Sequence, residues 1–225
     1  MKTGIIIVAG GKGTRMGNAV PKQFMLLNGR PVLMHTIEKF RSALPDAHIV
    51  AVLPKEDTGR WAQLVKEFDF NIAHRVTTGG KNRFESVKNG IKSLPECDYI
   101  GVHDGVRPLV PEEVISRVLK DAVTGGAAIP VVKISDSLRE VGSGNSRIVD
   151  RGKFVAVQTP QFFRSEILNS AYQTDFSDSF TDDASVVESQ GHKITLSEGD
   201  TSNIKITTPV DLAIAEILIS DCRQE

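Results

Sequence analysis

The sequence predicts an α/β fold: a mostly parallel sheet flanked by helices, with a β-arm projecting from it. Three observations predict it. Ile5 to Ala9 is a continuous apolar run that breaks into glycines at Gly10 and Gly11, which is how a strand buried on both faces of a parallel sheet reads. Extended and helical segments then alternate as far as Val132, a rhythm that implies right-handed crossovers and a crevice at the strands' C-terminal ends. From Lys133 to Gln158 the rhythm stops, and Gly142-Ser143-Gly144-Asn145 joins two short extended runs, the pattern of a hairpin.

Each element has its own signal. Val32, Leu33, Ile37, Phe40 and Leu44 recur at helical spacing between Pro31 and Pro45, which bound a first helix. Ala47 to Leu53 is the second strand, Trp61, Leu64, Val65 and Phe68 mark the next helix, and Phe70 to Val76 reads as the third strand. Thr77-Thr78-Gly79-Gly80 is a second glycine turn, and the helix that follows brings its first amides to the same sheet edge. Tyr99 to His103 is a fourth strand closed by Asp104; the helix Pro111 to Val123 and the strand Ala127 to Val132 complete a Rossmann-like layout. Beyond the arm, at about 134–158, Ser165 to Tyr172 and Asp182 to Gln190 read as helices, the second with Thr181 as N-cap. Lys193 to Leu196 and Asn203 to Ile206 read as short strands, and Pro209 starts a final amphipathic helix through Ile219. No repeat or linker divides the chain, so a single domain over 1–225 is expected.

Composition narrows the function. Net charge is −1, from 27 Lys and Arg against 28 Asp and Glu, which excludes a general nucleic-acid or anionic-membrane binder. No apolar run approaches the roughly 20 residues that span a bilayer, and the N-terminus enters a strand without a signal-peptide pattern. Cys97 and Cys222 lie far apart without metal-ligand spacing; free thiols in a reducing cytoplasm are the expectation.

Positive charge is instead concentrated near the first loop. Glycines let main-chain N–H groups approach a ligand, and several of them beside Lys12, Arg15 and Lys22 make a site for a nucleoside triphosphate. The loop is neither a P-loop, since Gly11-Lys12 is followed by Gly13, nor a dinucleotide fingerprint, since the gap from Gly13 to Gly17 is one residue too long. The plain alternative is a tight turn without a ligand; the pairing of Arg15 with Lys22 weighs against it.

The run Gly11-Lys12-Gly13-Thr14-Arg15 with Pro21-Lys22-Gln23 resembles the signature of the sugar-phosphate nucleotidyltransferases. With Gly80 to Ser86, His103-Asp104-Gly105-Val106-Arg107-Pro108, Asp150-Arg151, Gln158-Thr159-Pro160-Gln161-Phe162 and Asn203-Ile204-Lys205, the chain is similar nearly end to end to the 2-C-methyl-D-erythritol 4-phosphate cytidylyltransferase family of the non-mevalonate isoprenoid pathway. Ribitol 5-phosphate cytidylyltransferases share the first loop and the Thr-Pro-Gln segment, but usually lack the arginine that stands here as Arg151. A non-catalytic nucleotide-binding relative would have lost Arg15, Lys22, Asp104 or Lys205; all four are present.

The resemblance implies in-line attack of a polyol phosphate on the α-phosphorus of CTP, with Arg15, Lys22 and Lys205 as catalytic cations. An ionised phosphate needs no general base, so charge neutralisation and positioning carry such a reaction. The resemblance assigns Ala9, Gly10, Gly11, Gly13, Gly80, Ser86 and Asp104 to the nucleotide, Asp104 also holding Mg²⁺ or another divalent cation with the CTP phosphates. A strand-end turn residue is the plainer reading of Asp104, and His103 beside it reads as packed. Arg107, Ser137, Arg151 and Thr159 are implied for the acceptor, and the arm for a homodimer. The family usually has threonine where Ser137 stands, and often an acidic or polar residue where Lys81 stands. Asp182-Asp183 looks like a paired-carboxylate site, but acids in a first helical turn favour the helix dipole, so a structural role is expected for both.

Overall fold

The structure, a computed structural model, describes residues 1–10 and 20–221. Strand β1 (Thr3–Val8) lies inside an eight-stranded sheet. Side chains alternate across a strand, so Ile5 and Ile7 enter one core and Ile6 the other, all fully buried. β1 pairs in parallel with β4 (His48–Leu53) on one side and β6 (Tyr99–Asp104) on the other. β5 (Arg75–Thr78) pairs in parallel with β4. Beyond β6 the direction reverses: β11 (Gln161–Arg164) runs antiparallel between β6 and β7 (Ala127–Lys133), and Gly101 of β6 lets the Phe162 ring lie where a side chain would sit. β10 (Val155–Val157) is antiparallel to β7, and β12 (Thr195–Glu198) parallel to it.

Helices cover both faces. On one, α1 (Val32–Ala43), α2 (Thr58–Glu67) and α4 (Glu112–Gly125) contribute Phe40, Trp61 and Ile115 to the core with Ile5 and Ile7. On the other, α3 (Arg83–Ser93), α5 (Ser165–Ala171) and α6 (Asp183–Ser189) contribute Val87, Leu168 and Val187 with Ile6. The hairpin of β2 (Leu26–Leu27) and β3 (Arg30–Pro31) turns on Asn28 and Gly29, both at positive φ. Its Leu27 joins Val106, Ile206 and Ala215 of α7 (Pro209–Asp221) in a third, smaller core.

The arm is a hairpin of its own, β8 (Arg139–Val141) antiparallel to β9 (Ser146–Ile148), with every strand residue exposed. Five expectations are corrected. β5 begins at Arg75, not Phe70: Asp69 adopts φ 45° and Phe70 N–H bonds Val65 O, so this stretch closes α2 as a turn with Phe70 tucked against Trp61. The N-cap of α6 is Asp182 rather than Thr181, in a reciprocal capping box with Ser185. Residues 203–206 are not a strand, although Ile206 N–H bonds Val106 O at 2.9 Å; β12 lies later than Lys193–Leu196, at Thr195–Glu198. α7 is apolar around its circumference rather than amphipathic: Ala215 is buried while Val210, Ile214 and Ile217 are exposed. Among the described residues, no helix is long and apolar enough to cross a membrane.

Candidate active site

The parallel strands deliver their C-terminal ends to one cleft of about 270 Å³. Val8 lies beside Asp104 in register; Ala9 N–H is pinned to Val52 O at 2.9 Å and Gly105 N–H to Val8 O at 2.8 Å. Ala9, Gly10 and Asp104 thereby line the floor. The facing wall is the second glycine turn. Gly80 N–H donates to Ser86 Oγ at 3.0 Å, and that hydroxyl donates to Asn82 O at 2.8 Å. Asn82 caps α3, and the Glu85 carboxylate accepts from Lys81 N–H at 2.8 Å. A Cβ on Gly80 would lie 2.2 Å from Glu85 Cβ, so this close turn requires glycine. Lys22, in a 3-10 turn (Lys22–Phe24), and Lys205 supply charge at the rim.

Asp104 is the electrostatic centre. Lys205 Nζ lies 3.0 Å and Arg107 Nε 3.4 Å from its Oδ2, and Arg83 Nε 4.0 Å from its Oδ1. Burial alone would raise the carboxyl pKa, but the cations Arg83, Lys205 and Arg107 hold it well below the ordinary carboxylate range. Its backbone is braced from the segment just before β11: Asp104 N–H donates to Thr159 Oγ1 at 3.1 Å. His103, fully buried, contacts Arg107 O through Nε2 at 3.1 Å and Thr159 Oγ1 through Nδ1 at 3.0 Å. A carbonyl only accepts, so Nε2 carries the proton and Thr159 donates to Nδ1. Burial pushes the His103 pKa down to about 4, keeping that neutral tautomer.

Two further networks mount the cations. Asn203 Nδ2 donates to Thr159 O at 2.8 Å, and Asn203 O accepts from Arg107 Nη1 at 2.7 Å, which fixes the segment that presents Lys205. Arg83 donates through both terminal nitrogens to Asp183, at 2.9 and 2.6 Å, and Tyr172 O–H donates to the same carboxylate at 2.6 Å. Burial opposes the Arg83 charge, but Asp183 more than offsets it and the guanidinium stays firmly protonated.

Of the residues the sequence singles out, Ala9, Gly10, Lys22, Gly80, Ser86, Asp104 and Lys205 meet in the cleft. Arg107 and Thr159 stand behind Asp104 as its braces rather than in the lining. Ser137 and Arg151 are exposed on the arm, where Arg151 donates to Ser135 O. Gly11, Gly13 and Arg15 lie outside the described residues. Sequence reasoning missed Arg83, which lines the cleft, and gave both acids of the pair one structural role, whereas they do separate jobs: Asp182 caps α6 and Asp183 holds that cleft arginine. The signal was Arg83's place inside the Gly80–Ser86 motif.

Among the described residues no three metal-ligating side chains cluster. Asp104 is a single ionised carboxylate among cations, which fits Mg²⁺ delivered with a triphosphate, since Mg²⁺ keeps its waters and takes phosphate oxygens. A bare dication would be repelled by Lys205, Arg83 and Arg107; a metal–nucleotide complex of net negative charge is attracted.

Comparison with known proteins agrees along the whole chain. The family model for 2-C-methyl-D-erythritol 4-phosphate cytidylyltransferase matches residues 3–221. A protein of that name from Azobacteroides pseudotrichonymphae is 51% identical over 218 residues, covering 96% of this chain and 97% of its own. One from Bacteroides thetaiotaomicron is 49% identical over 219 residues, covering 97% and 100%. The crystal structure of 4-diphosphocytidyl-2C-methyl-D-erythritol synthase from Anaerococcus prevotii superposes with a TM-score of 0.82 at 27% identity, covering 97% of this chain and 96% of that one.

Proposed function

The chain belongs to the 2-C-methyl-D-erythritol 4-phosphate cytidylyltransferase family, and from that premise we propose how its cleft performs the reaction. The enzyme transfers CMP from CTP to 2-C-methyl-D-erythritol 4-phosphate, giving 4-diphosphocytidyl-2-C-methyl-D-erythritol and pyrophosphate, a step of isoprenoid biosynthesis. The observation that carries the reading is the convergence of Lys22, Arg83 and Lys205 on a glycine-walled cleft around one ionised carboxylate. Two anions must meet there, and the attacking phosphate is already ionised, so fixed cations rather than a proton acceptor supply the catalysis.

In this reading Ala9, Gly10, Gly80 and Ser86 form the base slot, and Gly11 and Gly13 also serve the nucleotide. Lys22 and Arg15 bind the triphosphate, and Lys205 approaches the transferring phosphorus. Asp104 would hold the divalent cation that enters with CTP, and that cation would supply neutralisation of phosphate charge. Lys205 Nζ, held 3.0 Å from that carboxylate, is a cation positioned beside the transferring phosphate. The acceptor phosphate meets Arg107, Thr159 and, from a second copy of the chain, Ser137 and Arg151 of the arm. The chain works as one domain with the arm at about 134–158, as a homodimer in the cytoplasm, with no nucleic-acid or membrane partner.

The test is pyrophosphate release for each of the four ribonucleoside triphosphates against methylerythritol phosphate and ribitol 5-phosphate. Turnover is expected with CTP and methylerythritol phosphate. Turnover with ribitol 5-phosphate alone would replace the acceptor, and turnover with ATP or GTP at the same rate would remove the base slot from the account.

A further inference from the structure

Arg83 and Asp104 stand close enough to close on one another, and they do not. Their nearest atoms are 4.0 Å apart, and a guanidinium beside an ionised carboxylate prefers a two-pronged contact. Asp183 prevents it. Its side chain has no exposure, and each of its oxygens takes one terminal nitrogen of Arg83. Tyr172 O–H donates to one of those oxygens, and its ring stacks on Phe84, the residue after Arg83, with centroids 4.7 Å apart. The helix that carries Asp183 is itself tied to β11, since Gln161 donates to Asp182 Oδ2 and accepts from Ala184 N–H. Arg83 nonetheless keeps 31% of its side chain exposed and lines the cleft. A purely structural ion pair has no need of that exposure.

We propose that Asp183 is a positioning residue of the cytidylyltransferase site: it holds the Arg83 guanidinium aside from Asp104, leaving Oδ1 of that carboxylate open to the incoming nucleotide complex and fixing a cationic edge toward the phosphates. Tyr172 sets the orientation of Asp183 and shares the role. The proposal rests on the reading of the cleft given above.

The experiment compares Asp183→Asn, Arg83→Gln and the double variant with the wild-type enzyme, at a temperature where circular dichroism shows all of them folded. Asp183→Asn is expected to weaken CTP binding, measured by calorimetry without acceptor, at least tenfold, and to lower kcat/KM for CTP in step. Adding Asp183→Asn to Arg83→Gln is expected to cost nothing more, because Asp183 acts through Arg83. Wild-type CTP affinity in Asp183→Asn, or a further loss in the double variant, overturns the proposal. Should Asp183→Asn alone not fold, the double variant, which leaves no buried charge unpaired, is read against Arg83→Gln by the same criterion. A wild-type enzyme inactive with CTP would tell against the cytidylyltransferase reading itself; an Asp183→Asn enzyme as active as an active wild type overturns only the role of Asp183.

Discussion

Thr159 shows how one hydroxyl braces two adjacent residues of β6. It accepts from Asp104 N–H and donates to His103 Nδ1, so both functions are engaged in a buried position. Thr159→Val keeps the shape and leaves those two partners unsatisfied, at a cost of about 1–3 kcal/mol. Urea unfolding is expected to show a lower midpoint with an unchanged slope, because the surface exposed on unfolding is the same. The Thr-Pro-Gln motif marks Thr159 for the acceptor, but nothing in it shows that the hydroxyl is held by β6. A contact between positions 103 and 159 is set by strand order, and no local pattern carries strand order. The same holds for Asp183: its acidic neighbour makes the pair look like one unit, and only the meeting of Asp183 with Arg83 at the start of α3 separates a helix cap from an arginine anchor. Lys22, Asp104 and Lys205 were legible because each stands in a motif whose residues are contiguous.

At the scale of elements, α2 and β5 are joined through His74, which lies just before the strand. His74 Nδ1 contacts Ile72 O at 2.7 Å, and Nε2 accepts from Trp61 Nε1–H at 3.0 Å. Protonation would set an N–H against the indole N–H. Burial, chiefly, lowers the His74 pKa, so the unfolded chain takes the proton more readily than the fold does. The resulting stability is full above the ordinary imidazole value of 6.5 and is lost as pH falls below it. Thermal melts followed by Trp61 fluorescence are expected to show a lower midpoint at pH 5 than at pH 7, with His74→Gln flattening the difference. On the opposite face, Asp182→Asn is expected to keep the cap but to set its amide N–H₂ against Gln161 Nε2, which donates to Asp182 Oδ2, while Asp182→Ala removes both contacts; each costs about 1 kcal/mol or more in the same melts. The long, strongly patterned elements α1, β4, β6 and α4 were legible within a residue or two of their ends. β5 was not, because Phe70 is an apolar residue buried by a turn, and apolarity alone does not distinguish that from a strand. α7 was misjudged because Val210, Ile214 and Ile217 continue the apolar pattern onto a face that the chain itself leaves uncovered.

For the whole molecule, the proposed dimer has a direct consequence. If the arm of one copy completes the acceptor site of the other, Lys22→Ala and Arg151→Glu fall in the same site of a mixed dimer and leave the second site intact. Mixing the two inactive proteins under conditions of subunit exchange is expected to restore a measurable fraction of wild-type turnover; verified mixed dimers without activity would count against a shared site. The placement of β11 has another consequence, in the order of synthesis. β7 emerges from the ribosome before β11 yet has no seat on β6, because the strand between them is still to be made. A growing chain therefore carries an open sheet edge at β6, an aggregation hazard, until residue 164 is available. Asp183 and Lys205 arrive later still, so a chain that stalls or is cut short during translation contains the nucleotide loop but lacks the machinery to use it.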